Sequence, residues 1–172
     1  MVEISIETVS QEMPSKISKD ELRAFLRALG EERRTFKLGE NEMLKSVILI
    51  GMRKANDVIG IAGVSKHFGL PVVFIGVKSE HQGLGAGGRL LDNLHNIARE
   101  KCHLLLLSVV TGNVSAVRLF ESREYQKFYS TEDRSYMIKS FTVIGTFFAM
   151  FLRMLFWPAG RLQNLIKKSN YC

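Results

Sequence analysis

The sequence predicts an α/β fold with an apolar helical extension at its C-terminal end. Three observations predict it. Short runs with the two-residue period of strands alternate with segments of helical period. One strand leads through four glycines within the stretch Gly83 to Gly88 directly into a helix. From Lys139 onward the composition changes: apolar side chains dominate and acids are absent.

Val2 to Val9 alternates and reads as a first strand. Ser18-Lys19-Asp20-Glu21 is a capping box, in which the Ser hydroxyl and the Glu carboxylate each satisfy an orphan amide at a helix start. The helix then sets Leu22, Phe25, Leu26 and Leu29 on one face and stops at Gly30. Residues 31–42 are charged, with Glu31, Glu32, Arg33 and Arg34, and show no clear period. Ser46 to Arg53 and Val58 to Ser65 read as two strands of a hairpin turning at Asn56-Asp57. A loop with His67 and Gly69-Leu70-Pro71 leads to a third apolar strand, Val72 to Val77. After the glycines, Leu90, Leu91, Leu94, Ile97 and Ala98 mark a helix. Leu104 to Val110 is a continuous apolar run, as a buried strand is. Asn113 caps a helix bearing Ala116, Val117, Leu119 and Phe120. Tyr125 to Tyr129 and Ser135 to Ile138 close the set as strands, and no internal repeat is present.

The 172 residues are 46% hydrophobic and 24% charged. These values sit near globular averages and exclude both wholesale disorder and a polytopic membrane protein. Two cysteines, Cys102 and Cys172, exclude a disulfide-stapled fold, and no Cys/His set has zinc spacing, so no metal is expected. There are 24 basic and 17 acidic residues, a net +7. Lys139, Arg153, Arg161, Lys167 and Lys168 stand in a tail without acids, which leaves the body nearly neutral and argues against nucleic acid as a partner. Val2 to Glu7 alternates and carries acids, unlike an export signal, so the body is expected in the reducing cytoplasm.

A strand, a glycine-rich turn and a helix start together make an anion site in physical terms. The first helical turn has unpaired amides and a partial positive charge, and glycines let backbone approach a phosphate closely. The loop lacks the lysine and hydroxyl of a nucleoside triphosphatase loop. A tight turn with close helix–strand packing is the plain alternative.

Gln82-Gly83-Leu84-Gly85-Ala86-Gly87 resembles the Q/R-x-x-G-x-G/A loop of the GCN5-related N-acetyltransferase (GNAT) superfamily. Asn113-x-x-Ala116-x-x-Leu119-Phe120-Glu121-Ser122-x-Glu124-Tyr125 is similar to that family's N-x-x-A-x-x-L-Y-E-K-x-G-F stretch. The resemblance covers roughly residues 2–140. It implies the GNAT acyl-CoA N-acyltransferase fold, with a mixed, splayed sheet, and acetyl-CoA as cosubstrate. The pyrophosphate would then lie on the amides of Gly83, Leu84, Gly85, Ala86, Gly87 and Gly88, after Gln82. The pantetheine would pair with main chain at Ile75, Gly76 and Val77, as an added strand does. Asn113 would touch the cofactor arm, a helix cap being the alternative reading. Arg89 would approach a phosphate or stay a solvated helix residue.

The reaction that the resemblance implies is direct attack of a neutral amine on the thioester. It needs a base for the ammonium, donors for the oxyanion and a proton for the sulfur. The family's sulfur-protonating tyrosine is Phe120 here, and Val72 to Val77 holds no acid where a carboxylate base is often placed. The catalytic groups are therefore unassigned. Glu80, Ser108 and Tyr125 are candidates, with His81, His67, Tyr129 and Tyr136 behind them, and each has an ordinary structural explanation.

Phe141 to Trp157 is too apolar for the surface of a small domain, yet its uncharged stretch ends at Arg153, short of a span. Pro158 is expected to break the helix at Trp157. On a helical wheel Thr142, Gly145, Thr146, Ala149 and Arg153 share one stripe, and large apolar residues cover the rest. The expected organisation is a catalytic domain over residues 1–140 and, over 141–172, an in-plane anchor for the cytoplasmic face of a membrane. Gly145-x-x-x-Ala149 also suits a dimer seam, and docking on the body's own sheet is a third use. The function read from all this is acetyl transfer to a primary amine, with a lipid-linked aminosugar as the suggested acceptor. A protein or peptide amine, or a silent CoA-binding scaffold, are the alternatives.

Overall fold

The computed structural model describes residues 4–10, 19–29, 40–54 and 57–169. The α/β class read from the sequence is the one observed. The chain divides into two compact units, one ending at Cys102 and the other beginning at His103.

In the first unit four strands follow one another in antiparallel order: β1 (Ile4–Ser10), β2 (Ile48–Lys54), β3 (Asp57–His67) and β4 (Leu70–Val77). Helix α1 (Lys19–Ala28) lays Leu22, Phe25 and Leu26 into a core with Leu29, Leu49, Ile61 and Phe74, and α2 (Glu40–Leu44) adds Met43. Helix α3 (Ala86–Lys101) packs on β2, β3 and β4 through Leu90, Leu91, Leu94 and Ala98. Ile61 belongs to the core with α1, whereas its neighbour Gly60 lies against Leu90 of α3. Both faces of β3 are thus covered, and a strand covered on both sides reads as an unbroken apolar run.

The second unit is built on β5 (Leu104–Val110), β6 (Gln126–Ser130) and β7 (Arg134–Ser140), with β7 between the other two and antiparallel to both. Helix α4 (Val114–Glu121) links β5 to β6, capped by Asn113. Helix α5 (Val143–Ser169) lies against β6 and β7.

Several expectations change. The loop containing His67, Leu70 and Pro71 is instead a tight hairpin. His67 ends β3, Leu70 and Pro71 begin β4, and Phe68 and Gly69 both take positive φ, as turns matched to strand twist require. Helix α2 falls in charged sequence that shows no period. The predicted break at Pro158 does not occur, since α5 runs on to Ser169. A proline removes one ladder bond, and the bonds on either side of it keep the helix going. Ser18 of the capping box, Gly30, Glu31 to Arg34 and Asn56 lie outside the described residues.

The small-residue stripe of α5 is used inside the chain. Thr142 accepts from the Gly145 amide at 3.2 Å, which caps the helix, and its hydroxyl lies 3.2 Å from His103 Nδ1. Gly145 rides over the His103 carbonyl. Ala149 packs with Leu104 and Ile138, joined by Leu106, Phe128, Phe148 and Leu152. Arg153 donates to Gln126 Oε1 at 2.7 Å. No described helix is long and apolar enough to cross a membrane.

Candidate functional site

Strand β4 ends at Val77, a short 3-10 turn follows at Ser79–His81, and residues 82–85 lead into α3. The turn is held by His81 N to Lys78 O at 2.9 Å and Gln82 N to Ser79 O at 3.1 Å. The Gln82 side-chain amide donates to the Val77 carbonyl at 2.9 Å, which ties the loop back to the strand end. This bond brings the start of the loop to the end of the strand that holds Ile75, Gly76 and Val77.

Gly83 and Gly85 have φ of +75° and +81°, a backbone that L side chains rarely adopt. Left-handed residues placed within a turn point successive amides into one concavity, a form of anion nest. Gly85 is the N-cap residue of α3 and has no side chain to accept a first-turn amide, and the first turn carries no acid. The first bond into the helix is Arg89 N to Gly85 O at 3.1 Å. Among the described residues, the amides of residues 83–88 make no backbone hydrogen bond of good geometry, although residues 82–85 are folded as a turn. Helix starts are ordinarily satisfied by Ser, Thr, Asp or Asn. This one has no side-chain cap, so its first-turn donors and positive end are open to water or to an anion. Residues 82–85 are exposed, and a Cβ built on Gly83 or Gly85 meets open space. Arg89, also exposed, stands on this first turn.

Lys78, the lysine before the loop, is already held by Asp57 at 2.6 and 2.8 Å. Glu80 is exposed, with Ser79 Oγ 3.5 Å from its carboxylate. Cys102, half-buried at the end of α3, has its thiol pushed up by burial, against the smaller pull of Lys66 and Lys101. It remains a protonated thiol and a poor nucleophile. Among the described residues no group of His, Cys, Asp or Glu could hold a metal ion.

The remaining sequence candidates lie in the second unit. The Asn113 side-chain oxygen accepts from Ala116 N at 3.0 Å, the cap that was its alternative role. Ser108 Oγ accepts from Arg134 Nε at 2.6 Å, and the Ser108 carbonyl accepts from Arg134 Nη2 at 3.3 Å. A guanidinium only donates, so the Ser108 hydroxyl keeps its own proton to give. Arg134 is the functional-looking group that the sequence did not single out. Its neighbours Glu132 and Asp133 make it read as a solvated turn, and only the β5–β7 register brings it to a residue 26 positions away.

Tyr125 is not a strand residue as expected. It precedes β6, buried, with its ring edge-on to Phe120 at 5.5 Å between centroids. Burial pushes its phenol above the ordinary value. A phenol that holds its proton this firmly is a poor acid for a leaving thiolate. The unfolded chain loses this proton near pH 10, and the folded chain retains it to higher pH. Above about pH 10 the unfolded state therefore binds fewer protons, and stability falls as pH rises. Tyr125→Phe should flatten that alkaline fall in melting temperature and leave the profile below pH ~10 parallel to the parent's. Equal alkaline slopes in the two proteins would contradict it.

Comparison with known proteins agrees with this arrangement. The sequence profile of the acetyltransferase (GNAT) family matches residues 14–125. No curated protein sequence matches significantly. Among solved structures, an acetyltransferase of the GNAT family from Streptococcus pneumoniae is similar at a TM-score of 0.63 and 18% identity, over 81% of this chain and 100% of that one. The yncA protein of Salmonella typhimurium, solved with its cofactor acetyl-CoA, is similar at 0.62 and 16%, over 81% and 95%. A ribosomal-protein-alanine N-acetyltransferase from Brucella melitensis is similar at 0.60 and 18%, over 79% and 99%. These identities speak for the fold, and the profile match over residues 14–125 speaks for descent. With the loop and helix order found here, the chain belongs to the GNAT family of acetyl-CoA-dependent acyltransferases.

Proposed function

We propose that this protein transfers the acetyl group of acetyl-CoA to a primary amine by direct attack of the neutral amine on the thioester. The observation that carries this reading is the uncapped start of α3, whose glycine-loop amides make no backbone hydrogen bond of good geometry among the described residues. In this reading residues 83–88 receive the CoA diphosphate, with Arg89 beside them. The main chain of Ile75, Gly76 and Val77 pairs with the pantetheine amides, and a backbone amide near Val77 donates to the oxyanion.

No side chain is assigned to protonate the sulfur. Phe120 has no hydroxyl, and Tyr125 is buried, which raises the pH at which its phenol ionises. Proton transfer by a positioned group is worth roughly 10²–10⁴ in rate, so an enzyme that exchanges protons with water would be slow rather than inert. The same observation favours one second reading, a CoA-binding module without turnover. Thiol release from acetyl-CoA over a panel of primary amines separates the two, with CoA calorimetry on the same preparation. Heat with CoA and thiol release on at least one amine are expected. Heat without turnover on any amine gives the silent module, and no heat removes both readings.

The acceptor proposed is an amine held at the cytoplasmic face of a membrane, such as an aminosugar on a lipid carrier. It is supported by the apolar, acid-free helix α5.

A further inference from the structure

Large apolar residues cover the side of α5 turned away from β6 and β7. Val143, Phe147, Met150, Phe151, Met154 and Leu155 are each at least 58% exposed. At 3.6 residues per turn these positions fall within one continuous arc, roughly 140° wide. The opposite arc is already in use, with Gly145 over the His103 carbonyl, Ala149 in the unit's own core and Leu152 and Phe156 against β6 and β7 residues. A surface helix normally buries its apolar stripe and shows charge to water. Here both sides are apolar, and the outer one is continuous. Patches of this kind mark an interaction surface.

We infer that the outer face of α5 seats in the boundary between head groups and acyl chains of an anionic lipid bilayer, with the helix lying in the membrane plane. Charge chooses this occupant. The helix carries Arg153, Arg161, Lys167 and Lys168 and no acid. A second copy laid parallel to this acid-free helix would bring like charges together along its length, whereas anionic head groups complement them. Lying in plane also agrees with there being no described helix apolar enough to cross. The inference rests on the membrane-proximal part of the proposed function and does not depend on acetyl transfer.

The test uses the full chain with vesicles of phosphatidylcholine alone or mixed with phosphatidylserine, read by co-sedimentation at low and high salt. Binding is expected on the anionic vesicles and should weaken about tenfold or more on neutral ones or in high salt. The double variant Phe147→Glu, Met154→Glu changes two side chains that face outward, so it should fold and melt like the parent. It should lose vesicle binding about tenfold or more. CoA calorimetry on the same samples checks the fold and reads the acetyl-transfer proposal separately. Missing CoA heat with vesicle binding intact leaves this inference standing and overturns only that other reading. A parent chain that stays in the supernatant with anionic vesicles overturns the inference, and so does a double variant that sediments as the parent does. A tight dimer that the double variant dissociates, found without vesicle binding, assigns the face to a second copy and likewise overturns it.

Discussion

Gly85→Val is expected to keep its fold and lose CoA. The backbone at Gly85 has φ +81°, and an L residue there costs about 1–2 kcal/mol. Among the described residues nothing beyond its chain neighbours lies within 4 Å of the added Cβ, so no clash adds to that cost. The branched side chain instead fills the space in front of the amides at the start of α3. In the proposed site a diphosphate must come within hydrogen-bond reach of those amides. CoA affinity should therefore fall roughly 100-fold, or about 2.7 kcal/mol. Calorimetry measures the affinity and thermal melting measures the fold. A variant that melts like the parent less the strain and still binds CoA at parental strength would show that the loop is only a turn, and would remove the main support for the proposed function.

Gly145→Val should have the largest effect on stability. A Cβ there collides with the His103 carbonyl oxygen and lies 3.0 Å from the carbonyl carbon. That oxygen already accepts from Phe141 N at 2.9 Å, so the backbone has little freedom to retreat. The helix must lift away, which opens the cluster of Leu104, Ile138 and Ala149. Overpacking of this kind costs about 1–3 kcal/mol, and a branched side chain against backbone belongs at the upper end. For a chain of this size about 3 kcal/mol lowers the melting temperature by roughly 6–12 °C. Phe147→Ala, on the exposed side of the same helix, should stay within about 0.5 kcal/mol of the parent. If both variants melt alike, α5 is not packed as described.

What could be read from the sequence follows from which interactions are local. The glycine loop was legible because positive φ is a property of single residues, and the structure has it at Gly83 and Gly85. The strand from Leu104 to Val110 matched to the residue because six of its seven residues are apolar, with Leu105, Leu107 and Val109 buried on one face and Leu106, Ser108 and Val110 half-buried on the other. Helix α2 was invisible, since five residues barely make one turn and carry no period. The β3–β4 hairpin was mistaken for a loop because Phe68, a bulky residue, takes a positive φ that sequence statistics reserve for Gly or Asn. Arg134 could not be linked to Ser108 before the register was known. The spacing of Gly145 and Ala149 announced a close approach to some backbone without saying whose. Tertiary packing made it the chain's own His103.

The approach of Gly145 to the His103 carbonyl divides α5 into two histories of change. On the side resting on the strands, the available volume is set by backbone that cannot move, so drift there is limited to residues no larger than those present. On the other side no described residue constrains shape. Met, Leu, Phe and Val could replace one another freely over evolutionary time so long as their greasiness persists. Relatives that have this extension should therefore vary in identity along one line of the helix and in almost nothing along the other.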